Sequence, residues 1–357
     1  MPRIGLLTYH RVHNFGAVVQ SWAMTRLLSR HGDVEVLDYP TLYETGRHRR
    51  RGWKALVPSI GRIRFNRFVA RLPLTDHLPT PEEVSRQVGS GRYDALVCGS
   101  DQVWMTDDRR PLDAPFFLSV GEVPGLRRIS YAPSCGPIRS FGPHGDAVRR
   151  ALADFAAVSV RDDYSRDLLA DLGIDVDMVV ADPTLVADLS PLVGPRPRRR
   201  PYLAMVGAHG PGDAKLARRI AARRGLDVVA VGCRSRFADA SCRFASPEEW
   251  VNHIAHADFV VTSLFHGTAV SIAFRRPFVA VPSAGRAFKI ADLLDRIGLA
   301  DRLVSGSERS SIDLDAVAEL DWQEHGRPLE EWIRRSRRFL DDSFGAAARD
   351  AAMAEAA

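Results

Sequence analysis

Residues 258–282, Asp-Phe-Val-Val-Thr-Ser-Leu-Phe-His-Gly-Thr-Ala-Val-Ser-Ile-Ala-Phe-Arg-Arg-Pro-Phe-Val-Ala-Val-Pro, commit this part of the chain to an α/β architecture. Phe259 to Thr262 is a short apolar, β-branched run of the kind that is buried on both faces of a parallel sheet. A Ser-Leu-Phe-His-Gly turn leads into a helix-like segment from Thr268 to Arg275. Pro277 stops that helix, and Phe278 to Val281 reads as the next strand. His266 therefore falls where a strand ends and a helix begins, the edge at which open α/β sheets bind ligands. A helix N-terminus offers unpaired N–H groups and the positive end of a dipole, which suit an anion. Ser263 and Gly267 share the turn. The plainer reading of the same spacing is a turn histidine that caps its own loop.

A chain of 357 residues is long for one core and predicts two domains. No apolar run approaches the roughly 20 residues that span a bilayer. Met1-Pro2-Arg3 leads straight into a strand-like Ile4 to Thr8, unlike a secretory signal. The four cysteines (Cys98, Cys135, Cys233, Cys242) form no C-x-x-C pair, so neither a zinc site nor a disulfide framework is indicated. The expected location is the cytoplasm, extending to the inner face of its membrane. The net charge of +5 favours anionic ligands in a general way. Only three of the 49 basic residues are lysines (Lys54, Lys215, Lys289). Against that bias, Lys289 stands out as a compact ammonium that arginine does not replace.

Along the chain, a strand at 4–8 is followed by a loop and a helix from Val18 to Ser29, and Val34 to Tyr39 returns as a strand. Gly16 near the helix start permits close backbone approach, but no G-x-G-x-x-G fingerprint is present. Asn14 either caps the helix or faces a cleft, and Gln20 faces either solvent or that cleft. Residues 47–71 carry the densest basic run: Arg47, Arg49, Arg50, Arg51, Arg62, Arg64, Arg67 and Arg71. It reads as a solvated basic helix, with nonspecific nucleic-acid contact or docking to an anionic membrane surface as alternatives. The strand Tyr93 to Val97 delivers Gly99-Ser100-Asp101-Gln102-Val103-Trp104, where Asp101 is either a ligand-facing carboxylate or a loop cap. The strand Phe155 to Val160 delivers Arg161 to a second strand-to-helix turn. There it is either an ion-pair partner of Asp162 or Asp163, or a clamp for carboxylate or phosphate. The Pro- and Arg-rich residues 191–200 read as a linker between an N-terminal Rossmann-like domain (1–190) and a C-terminal one (201–325). Lys289 stands near the first turn of a helix running to Ile297. An amphipathic helix within 326–345 is expected to pack back on the first domain, with a frayed tail beyond Ala346.

Taken in order, six clusters resemble the polysaccharide pyruvyl transferase family: Asn14-Phe15-Gly16-Ala17-Val18-Val19-Gln20, Gly99 to Trp104, Ser159-Val160-Arg161-Asp162, Asp182-Pro183-Thr184, Ser263 to Gly267, and Pro277-Phe278. The resemblance implies a GT-B-like fold, two Rossmann-like domains facing a cleft, with a C-terminal helix returning to the first. It implies transfer of a pyruvyl group from phosphoenolpyruvate to a sugar, commonly as a ketal, with no cofactor and with an acceptor that is free or lipid-linked. By the same resemblance His266 is the active-site histidine, Arg161 the phosphate-binding arginine and Lys289 the downstream basic residue. From their own places at strand ends and turns, Asp101 is expected to orient or deprotonate an acceptor hydroxyl, and Asn14, Gly16, Ser263 and Gly267 to line the substrate. Two alternatives stand beside it: a GT-B glycosyltransferase with a nucleotide-sugar donor, and a non-catalytic glycan-binding relative.

Overall fold

The computed structural model describes residues 1–41, 60–207, 209–283, 285, 287–306 and 308–355. Arg47 to Arg51 of the basic run lie outside them.

Seven strands make the first sheet: β1 (Arg3–Leu7), β2 (Asp33–Asp38), β3 (Leu74–His77), β4 (Ala95–Cys98), β5 (Arg127–Ser130), β6 (Ala157–Val160) and β7 (Met178–Val179). Their spatial order is β3-β2-β1-β4-β5-β6-β7, and every pairing is parallel. Five more, β8 (Tyr202–Val206), β9 (Asp227–Val231), β10 (Ala240–Cys242), β11 (Phe259–Thr262) and β12 (Phe278–Ala280), make a second parallel sheet ordered β10-β9-β8-β11-β12. Both sheets reverse direction beside their first strand, between β1 and β4 in one and between β8 and β11 in the other. Such switch points open a crevice at the carboxyl ends of the strands, where doubly wound sheets bind ligands. The strands are short and apolar because helices cover both faces; β4, β6, β8 and β11 are buried along their whole length.

Local chemistry sets where the helices begin. The Phe15–Leu28 helix starts three residues earlier than the sequence pattern suggests, because the Asn14 side chain caps it by accepting from the Gly16 N–H at 3.0 Å. Asp162 caps the Asp163–Ala170 helix in the same way, through the Ser165 N–H at 2.8 Å. Ser246 and Glu249 form a capping box at the start of Pro247–Ala255. The segment 191–200 is held to the second half: Asn252 accepts from the Gly194 N–H, His256 bonds the Gly194 carbonyl, and Arg196 pairs with Asp258 at 2.5 Å.

The last helix runs from Trp322 to Glu355, longer at both ends than the expected 326–345, and passes through Pro328. It lies on the first half: the Trp332 indole donates to the Val179 carbonyl at 3.0 Å, the Ser336 hydroxyl accepts from the Ala181 N–H at 2.9 Å, and Arg337 donates to the Val186 carbonyl at 2.7 Å. Other bonds tie the halves together directly. Arg64 and Arg71, on and just after the Ile60–Val69 helix, pair with Glu249 and Glu248 of the second half. Phe15 stacks on Trp250 at 5.9 Å between ring centres.

Candidate active site

The two switch points meet. Gly16 follows β1 and His266 follows β11, and their contact is so close that a Cβ on residue 16 would stand 2.3 Å from the His266 Nδ1. Glycine is required there by this approach, not by its backbone angles. His266 is the second residue of the Phe265–Ala273 helix, so it lies within the first turn and not ahead of it. Leu264 precedes that helix and offers no side-chain cap to its first N–H groups.

Behind His266 lies Asp182, fully buried after β7. Its Oδ1 accepts from the Thr184 N–H (3.0 Å) and hydroxyl (2.7 Å); its Oδ2 accepts from the Ser100 hydroxyl (2.9 Å) and from Arg161 Nη1 (3.2 Å). The His266 Nε2 stands 3.5 Å from the same Oδ2, beyond a formed hydrogen bond, and has no other partner. Burial alone would raise the Asp182 carboxyl. The His266 and Arg161 charges and the Thr184 N–H outweigh it and hold the group well below the usual carboxylate range.

Arg161 is the feature that asks for a ligand. It is 2% exposed, and one of its terminal nitrogens holds Asp182, with Asp101 at 3.9 Å. The other two nitrogens, Nε and Nη2, are buried without any hydrogen-bond partner. These two form one edge of the guanidinium, the fork that grips a carboxylate or phosphate with two parallel bonds. A buried cation with an empty fork is costly unless something fills it. Its Cζ lies 4.4 Å from the centre of the Phe265 ring, and the Lys289 ammonium lies 5.7 Å from that centre. Two cations thus converge on the residue before His266.

Asp101 adopts a left-handed backbone (φ 84°), an uncommon state for a non-glycine residue. Its Oδ1 accepts from the Gln102 N–H at 2.8 Å, so it caps its own loop while also facing Arg161. The expected pairing of Arg161 with Asp162 or Asp163 does not form: Asp162 caps the helix, and Asp163 binds Arg296 at 2.6 Å. Asn14 is exposed and its side chain caps the helix. Gly267 packs helix on strand, since a Cβ there would stand 2.1 Å from the Thr262 hydroxyl; Ser263 crowds Gly207 in the same way, at 2.4 Å. Gln20, expected to face solvent or the cleft, is fully buried and donates to the Thr8 hydroxyl at 2.6 Å.

Sequence reasoning missed two carboxylates. Asp182 sits in a matched cluster, yet its place under both Arg161 and His266 has no local signature. Asp292, on the Ala287–Arg296 helix that carries Lys289, accepts from the Asp163 N–H at 3.2 Å across the cleft. Burial pushes its carboxyl up to about 6 against the pull of Arg296.

Among solved structures, a UDP-N-acetylglucosamine 2-epimerase aligns over 97% of this chain and 96% of its own, with a TM-score of 0.55 and 12% identity. The enzyme of that description from Rickettsia bellii aligns over 98% of each chain at 0.52 and 9%. S. aureus MnaA, in its structure with UDP, aligns over 92% and 91% at 0.50 and 11%. At these identities the likeness is one of fold: an α/β chain of two Rossmann-like domains, GT-B-like. No curated protein matches the sequence. The family model described as polysaccharide pyruvyl transferase matches residues 14–284, which contain every site residue above except Lys289 and Asp292.

Proposed function

The chain belongs to the polysaccharide pyruvyl transferase family, and on that premise we propose that it moves a pyruvyl group from phosphoenolpyruvate to a sugar of a polysaccharide or glycoconjugate, closing a pyruvate ketal. The observation that carries this is the empty, buried Nε–Nη2 fork of Arg161 beside the uncapped helix N-terminus at Phe265–His266. Phosphoenolpyruvate presents two anionic groups a few bonds apart. The fork takes one of them; Lys289 and the helix N–H groups take the other.

His266 then acts at the reacting carbons. Its imidazolium delivers a proton to the methylene carbon, which becomes a methyl group and leaves C2 cationic. A sugar hydroxyl adds to C2 and returns its proton to the imidazole. The C2–O bond to phosphate breaks with its electron pair, and inorganic phosphate departs. A second hydroxyl adds to C2 and closes the ring, and its proton leaves on phosphate or solvent. Asp182 holds Arg161 in place and offsets the charge of the imidazolium, and Asp101 orients an acceptor hydroxyl. The cations around Phe265 offset the charge that gathers on the departing phosphate. The donor is a substrate, and the reaction as written needs no cofactor.

The test is release of inorganic phosphate from phosphoenolpyruvate in the presence of a panel of sugar acceptors: free, nucleotide-linked and lipid-linked. The expected result is release that depends on one acceptor class, with a ketal added to that acceptor by mass. Turnover of a nucleotide sugar, with phosphoenolpyruvate untouched, would move the assignment to glycosyl transfer.

A further inference from the structure

Large exposed hydrophobic side chains are few among the described residues, and three of them lie together: Ile60 (63% exposed), Ile63 (41%) and Phe244 (38%). A Cβ on Gly61 would stand 3.2 Å from the Phe244 ring, and Arg64 donates to the Phe244 carbonyl at 3.0 Å. The patch therefore crosses the seam between the two halves. Ile60, Ile63 and Arg67 fall at i, i+3 and i+7 and share one face of the Ile60–Val69 helix, while Phe65, Phe68 and Val69 are buried on the other. Arg67 is exposed, and the Arg243 guanidinium lies 5.0 Å over the Phe244 ring. No acidic residue occurs between positions 60 and 71, and the nearby Glu248 and Glu249 are already paired with Arg71 and Arg64.

We infer that this face docks on an anionic phospholipid surface, with Ile60, Ile63 and Phe244 entering the headgroup boundary and Arg67 and Arg243 meeting the lipid phosphates. Apolar side chains ringed by cations on one helix face are the pattern of interfacial binding. A second copy is the poorer occupant, because a two-fold contact would bring these arginines against their own copies. No described helix is long and apolar enough to cross a membrane, so this contact is interfacial. The buried side of the same helix packs toward the cleft. His13 stacks on Phe65 at 4.7 Å, Phe15 lies against Phe65 and Trp250, and Gly16 touches His266. Docked this way, the Ile60–Val69 helix stands between the lipid surface and these cleft residues, which brings the cleft near a lipid-carried acceptor. That last placement rests on the proposed function, whereas docking itself does not.

Co-sedimentation of the full chain with vesicles tests it, using phosphatidylcholine alone and phosphatidylcholine with phosphatidylglycerol. The wild-type protein should sediment with the anionic vesicles, less so as salt rises, and not with the neutral ones. Ile60→Glu/Ile63→Glu and Phe244→Glu, all at exposed positions, should each weaken that binding by about tenfold or more, with unchanged melting temperature and unchanged response to phosphoenolpyruvate. No sedimentation with anionic vesicles would overturn the inference. So would undiminished binding by the variants, which places any lipid contact elsewhere. A self-association that the same variants abolish, with no vesicle binding, would assign the face to a second copy instead.

Discussion

Asp182→Asn should cost the protein about 3 kcal/mol of stability, because it leaves the buried Arg161 charge with only Asp101, 3.9 Å away, as a counter-ion. The substitution keeps the volume of the side chain, so packing is not the cause. Spread over a half of this size, that loss lowers the melting temperature on the order of 10 °C. The pH dependence separates charge from shape. The folded-state Asp182 carboxyl lies below its free value of 3.8, so its stabilisation is fully present above that pH. It is lost as the pH falls from there toward the depressed folded value. The gap in melting temperature between wild type and variant should therefore be widest near neutrality and narrow below pH 3.8. A variant that melts within a degree or two of wild type at neutral pH would show that Asp182 does not carry the cluster.

His266→Ala should leave the fold intact and lower turnover by roughly 10²–10⁴-fold, the usual worth of a positioned general acid or base. The donor should still bind, since Arg161 and Lys289 are untouched, and this separates the histidine's role from simple loss of the site. His266→Gln keeps a side chain against Gly16 and removes only the proton donor, so it should be nearly as inactive. Phosphate release measured with saturating donor gives the rate, and donor-induced stabilisation gives the binding. Either variant working within tenfold of wild type would remove His266 from the chemistry.

The positions of His266, Arg161 and Gly16 were legible in the sequence because each follows a short apolar strand and precedes a helical repeat. That transition is a local pattern, and in a parallel sheet it maps directly onto the ligand edge. What holds these residues was not legible. Asp182 lies 21 residues from Arg161 and 82 from Ser100, and only the tertiary fold places it beneath both. Its burial reverses the usual expectation for an aspartate. The basic run shows the same limit: Arg64 and Arg71 meet Glu249 and Glu248, 185 and 177 residues away, so two arginines that look solvated join the halves. Element boundaries slipped where a single side chain decides them. Asn14 pulls the first helix forward to Phe15, and the last helix, expected from 326, begins at Trp322 and carries Pro328 within it.

The donor assignment rests on the open fork of Arg161, and binding of phosphoenolpyruvate to the purified protein tests it most directly. Thermal stabilisation is suited to this because it needs no acceptor: a ligand that binds only the native state raises the melting temperature by mass action. The measurement compares phosphoenolpyruvate with a set of nucleotide sugars on wild type and on Arg161→Lys. The lysine variant keeps a cation beside Asp182 but loses the two-pronged edge. The account predicts a saturable shift with phosphoenolpyruvate that the lysine variant loses. A shift with a nucleotide sugar and none with phosphoenolpyruvate would contradict it.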